Sequence, residues 1–90
     1  MRFEWDEAKR RSNIDKHRID FRDALRLFDG RARLDIESSR GVEVRTLSIA
    51  VLDGRLATAA WTWRGEDVIR IISVRSARSA EKRQYRQLYS

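Results

Sequence analysis

The chain has 90 residues, with 20 Lys and Arg against 14 Asp and Glu, a formal net charge of +6, one histidine, and neither cysteine nor proline. That length suits one domain, residues 1–90, with a modest core. Disulfides and cysteine ligation are excluded, and no apolar run approaches the roughly 20 residues of a membrane span. The opening Met1-Arg2-Phe3-Glu4-Trp5-Asp6 is charged and has no signal-type apolar core, so the cytoplasm is the expected compartment.

Asp6 reads as a helix N-cap, with Glu7 in the first turn where the helix dipole favours negative charge. The helix is expected from about Glu7 to Lys16, apolar only at Ala8 and Ile14, with Trp5 pinning it. Its clearer pattern is polar: Lys9, Asn13 and His17 fall at i, i+4 and i+8 and share one face. Asp20 caps a second helix, in which Phe21, Ala24, Leu25 and Phe28 form a core-facing stripe. Gly30 is placed to end it in a left-handed turn.

From about Ala32 the period becomes two. Leu34 and Ile36 alternate with Arg33, Asp35 and Glu37 in a first strand, and Ser38-Ser39-Arg40-Gly41 is a turn cluster. A second strand runs from Val42 to Val51, and its apolar phase slips between Val44 and Leu47. A bulge, or burial on both faces, accounts for such a slip. Asp53-Gly54 is a two-residue hairpin signal leading into a third strand, Leu56 to Trp63, with Trp61 and Trp63 on one face. Gly65-Glu66 turns the chain into a fourth strand, Val68 to Val74, apolar enough to be central yet carrying Arg70. Ser76 or Ser79 then caps a last helix to about Leu88. The expected fold is α+β: two N-terminal helices, a four-stranded antiparallel sheet and a C-terminal helix.

A small fold of this charge suits a polyanion, because cationic side chains gain by displacing counterions from phosphates. A single histidine is no metal site and there is no nucleotide loop, so neither metal nor cofactor is expected. Proton chemistry then falls to Lys, Arg, His, Glu, Asp or Tyr. Lys9 and His17 combine charge stabilisation with proton exchange near neutral pH, against the plainer reading of a solvated helix face. Glu43 and Arg45 share a strand face as a site floor or a simple ion pair. Arg70 and Arg75 flank an apolar run, where an arginine is costly unless it meets a carboxylate or a ligand, and a guanidinium fork matches phosphate oxygens. Trp61, Trp63 and Arg64 offer stacking for bases, or core packing for at least one tryptophan. Tyr85 shares a face with Glu81 and Tyr89 and either touches a bound strand or buries its ring.

Taken in order, Phe3-Glu4-Trp5-Asp6, Lys9, Asn13, Lys16-His17, Ile19-Asp20-Phe21 and Ala24-Leu25-Arg26-Leu27-Phe28-Asp29 resemble the BrnT toxin family. So do Glu43-x-Arg45, Ile69-Arg70-Ile71-Ile72-Ser73-Val74-Arg75, Glu81 and Tyr85. Two departures stand out. Arg18 replaces the usual glycine after the histidine, and Val74 with the Ser76-to-Ser79 stretch differs from the usual Ala-Arg-Lys/Arg-Ala run. The resemblance implies a RelE-like ribonuclease toxin of a type II toxin–antitoxin pair. Its implied partner is a BrnA-like ribbon-helix-helix antitoxin, and operator DNA is met only through the joint complex.

The expected chemistry is metal-independent cleavage of RNA, inhibiting translation, by attack of a 2′-hydroxyl on the adjacent phosphate. Lys9 and His17 take the proton-transfer roles, with Glu43 a second base. Arg45, Arg70 and Arg75 clamp the phosphate, and Tyr85 positions the strand. Asn13, Trp61 and Arg64 complete the RNA contacts. The competing class is a non-catalytic module that binds nucleic acid or another protein.

Overall fold

The computed structural model describes residues 1–89, apart from the side chain of Arg40. In chain order the elements are β1 (Arg2–Glu4), α1 (Glu7–His17), α2 (Phe21–Ala24) continuing as a 3-10 turn (Leu25–Phe28), β2 (Leu34–Arg40), β3 (Glu43–Leu52), β4 (Arg55–Trp63), β5 (Val68–Ser76) and α3 (Ser79–Tyr89). The α+β class and the C-terminal helix stand, but the sheet has five strands, not four, and is mixed. Its order is β1-β5-β4-β3-β2. The added strand is β1, parallel to β5 with Phe3 opposite Ile69; every other neighbour is antiparallel.

The Asp6 carboxylate accepts the Lys9 N–H at 3.1 Å and starts α1. Arg18 ends it at φ +59°, donating its N–H to the Ile14 carbonyl at 2.8 Å. The left-handed turn that glycine would adopt freely is therefore kept, with an arginine in it. Asp20 accepts the Arg22 N–H at 2.9 Å to begin α2. Beyond Ala24 the helix tightens to three residues per turn, so the fully buried stripe is Phe21, Ala24 and Leu27, and Leu25 is only half-buried.

β2 and β3 pair as far as Arg40 opposite Glu43, so the turn is Gly41-Val42, shorter than the Ser38–Gly41 cluster suggests. Asp53 (φ +52°) and Gly54 (φ +82°) join β3 to β4 with both central residues left-handed, a type I′ hairpin. β3 is regular against both neighbours. Its phase slip comes from burial on both faces: Ile49 and Ala50 point opposite ways and are both fully buried.

The irregularity lies in β5. Ala60 pairs with Ser73 and Trp61 with Ile71, leaving Ile72 without a partner on β4. This bulge exchanges the two faces of the strand. On one side, Ile69, Ile71 and Val74 join Ala50, Leu52, Ala57, Ala59 and Trp61 against Phe21, Ala24 and Leu27. Each large side chain so buried contributes about 1.5–3 kcal/mol. On the other side, Ser73 and Arg75 face α3. That helix is capped by neither expected serine. The Arg78 carbonyl accepts the Lys82 N–H, and Glu81 reaches back to accept the Arg78 N–H at 2.8 Å, the return arm of a capping box. Among the described residues, no helix is long and apolar enough to cross a membrane.

Candidate active site

The sheet face beneath the start of α3 carries a groove of about 290 Å³. Its floor is Leu47 and Ala60, and its walls carry Arg45, Arg75, Arg78 and Glu81, with Ser38, Thr58 and Ser73 supplying hydroxyls. Glu81 organises one wall. Its carboxylate accepts Arg75 Nη1 and Nη2 at 2.8 and 2.9 Å, Thr58 Oγ1 at 2.9 Å and the Arg78 N–H. Bonding to Arg75 is the main reason its pKa falls to about 2, with the Arg78 N–H and the Thr58 hydroxyl adding to it; Arg75 is raised in turn by Glu81. Glu81 is therefore ionised at neutral pH and spent on Arg75, which makes it a holder of charge and no base.

The arginines differ in what they have left to offer. Arg75 uses Nη1 on Glu81 and on the Ser76 carbonyl, and Nη2 on Glu81, so its bidentate edge is taken. Arg45 gives only Nε to Glu43 at 3.1 Å; among the described residues its terminal nitrogens carry no hydrogen bond and stay available to an anion. Arg78 lines the groove with an exposed side chain.

A second pocket of about 170 Å³ adjoins the first. Lys9, Ser12, Asn13, Lys16 and His17 of α1 line it with Ile72 and Ser73 of β5. The i, i+4, i+8 spacing does gather Lys9, Asn13 and His17 on one face, and Ser73 is common to both hollows. Ser73 thus lies between a hollow lined by histidine and lysine and a groove walled by three arginines.

Several expected site residues lie elsewhere. Arg70 donates to Glu4 at 3.0 Å at the β1 edge and does not line the groove, so its partner is a carboxylate. Tyr85 borders a separate hollow formed by Asp29, Gly30, Arg31, Ala32 and Val51. Glu43 is exposed and tied to Arg45. The expected RNA contact of Asn13 gives way to a structural role, because the residue is 6% exposed and its amide is bonded to backbone through both atoms. Trp61 is 4% exposed and donates Nε1 to Ser48 at 2.7 Å, so it belongs to the core. Arg64 is exposed and shares a hollow with the half-exposed Trp63, away from the groove. Sequence reasoning gave no site role to Glu81, Arg78, Ser73 or Lys16. A glutamate three residues into a helix just after a strand arginine was the available signal for Glu81.

The structure is similar to the crystal structure of the Brucella abortus ribonuclease toxin BrnT, with a TM-score of 0.67 and 28% identity over 88% of this chain and 99% of that one. The mixed sheet with its arginine-walled face therefore has the architecture of a small ribonuclease toxin. The family described as the ribonuclease toxin BrnT of type II toxin–antitoxin systems matches residues 5–81, and the chain belongs to that family. No curated protein matches it. Membership implies an RNA target and an antitoxin partner.

Proposed function

We propose that residues 1–90 form one toxin domain that cleaves RNA endonucleolytically without a metal ion, in the cytoplasm, and so inhibits translation. The observation that carries this reading is the meeting of two hollows at Ser73: His17, Lys9 and Lys16 line one, and Arg45, Arg75 and Arg78 line the other. A phosphate near Ser73 lies within the field of both sets. Arg45 binds it through its free terminal nitrogens where negative charge develops on the phosphorane, while Arg75, paired with Glu81, holds that wall of the groove in place.

The reaction is attack of a ribose 2′-oxygen on the adjacent phosphorus as the bond to the 5′-oxygen breaks. It leaves a 2′,3′-cyclic phosphate and a 5′-hydroxyl. One proton leaves the 2′-hydroxyl and one reaches the departing 5′-oxygen. His17 and Lys9 are the groups we assign to these transfers. Glu43, already engaged by Arg45, is the weaker base. The metal-free reading is supported by the supply of cations along the two hollows.

The partner is a BrnA-like ribbon-helix-helix antitoxin, a reading supported by the family resemblance, and the pair reaches operator DNA through the antitoxin. Purified protein incubated with single-stranded RNA in EDTA tests the chemistry. Cleavage to cyclic-phosphate and 5′-hydroxyl ends, lost in His17→Ala, supports it. A mobility shift with intact RNA makes the protein a binding module instead.

A further inference from the structure

Arg70 and Arg75 lie five residues apart in β5. In a regular strand an odd separation puts two side chains on opposite faces. Here both lie on the α3 side, while Val74 is fully buried on the other. The unpartnered Ile72 makes the difference. Without that extra residue Arg75 would point into the core and Val74 into the groove.

The sheet does not hold this bulge from its outer side. β1 ends at Glu4 opposite Arg70, so the outer edge of β5 has no strand at Val74. Asn13 occupies that edge. Its Oδ1 accepts the Val74 N–H at 3.1 Å and its Nδ2 donates to the Val74 carbonyl at 2.9 Å, the two bonds a neighbouring strand would make. Nδ2 also donates to the Ile19 carbonyl at 2.8 Å, which ties in the turn after α1. One helical turn beyond Asn13 on the same helix is His17; one residue beyond Val74 on the same strand is Arg75.

We infer that Asn13 is a positioning residue for RNA cleavage. By clamping both backbone groups of Val74 it fixes the bulge that turns Ser73 and Arg75 to the groove, and it locks that strand to the helix bearing Lys9 and His17. The functional half of this inference rests on the ribonuclease reading; the clamp itself does not.

The test compares Asn13→Ala and Asn13→Asp with Ser48→Ala, each assayed while fully folded. Ser48 is a buried hydroxyl bonded to Trp61 and Asp35, so its loss destabilises without touching the clamp. In Asn13→Ala, amide exchange at Val74 and Arg75 accelerates about tenfold or more while the β3–β4 ladder stays protected. Unchanged exchange overturns the inference. On single-stranded RNA, Asn13→Ala lowers kcat by roughly 100-fold with KM within about threefold, because the cations that bind the backbone remain. Ser48→Ala keeps both values near the parent. A parent-like kcat in Asn13→Ala overturns the positioning role. Asn13→Asp keeps an acceptor for the Val74 N–H but sets a carboxylate against two carbonyls. Protonation restores one donor, so its activity relative to the parent rises as pH falls, and a flat ratio counts against the clamp. If the amides loosen but the parent cuts no RNA, the ribonuclease reading has failed and takes the positioning role with it.

Discussion

The Arg75 guanidinium and the Glu81 carboxylate meet edge to edge, at 2.8 and 2.9 Å, where β5 passes under the start of α3. This pair joins the last helix to the sheet and keeps one cation in a fixed place beside Ser73. It also neutralises that cation, so the anion-binding capacity of the groove rests mainly on its neighbours.

Replacing Glu81 by Gln leaves Arg75 half-partnered in a semi-enclosed site and lowers stability by about 2 kcal/mol. Urea unfolding followed by circular dichroism checks this. Catalytic loss in the folded variant is expected as a fall in kcat, since the guanidinium is no longer held.

Acid sensitivity follows from the same carboxylate. Its folded pKa, about 2, lies below its ordinary value near 4.5, so its stabilising effect is complete above about 4.5 and is lost as pH falls towards 2. The urea midpoint of the parent should drop across that window, and the drop should be smaller in Glu81→Gln. Equal acid limbs in the two proteins would show that other carboxylates govern it.

Arg45→Ala removes the guanidinium whose terminal nitrogens are free. RNA affinity should weaken about tenfold, and the slope of log affinity against log salt should shrink by about 1. Arg70→Ala, whose partner is Glu4, should leave that slope unchanged. Fluorescence titrations of a 2′-O-methyl oligonucleotide at several salt concentrations separate the two.

Arg18→Gly should stabilise the protein by up to about 1 kcal/mol. The residue sits at φ +59°, where a side chain is strained and glycine is not. A lower melting temperature in this variant would mean that the Arg18 side chain contributes more than its backbone costs.

Local signals in the sequence proved accurate where one residue type controls one geometry. Asp6 and Asp20 cap the helices they were expected to cap, and Asp53-Gly54 forms its hairpin. Three features escaped. β1 is three residues long, too short to show alternation, and it exists only because β5 offers an edge. Of the two explanations open for the phase slip in β3, burial on both faces holds, and the bulge lies instead in β5, where Ile71-Ile72 reads as ordinary strand. Asn13 has the spacing of a ligand-facing residue, and its task depends on a backbone sixty-one positions away. Grouping Lys9 with His17 and Arg45 with Arg75 was within reach of periodicity and charge. Separating Arg70 and Tyr85 from them required the fold.

The parallel pairing of β1 with β5 also carries a consequence for synthesis. Residues 2–4 find their strand partner only at residues 68–70, and Arg75 and Glu81 come later still. A nascent chain released before that point has neither its full set of strands nor the wall that holds the fixed cation. The order of emergence from the ribosome thus keeps the site incomplete until the chain has been made through Glu81.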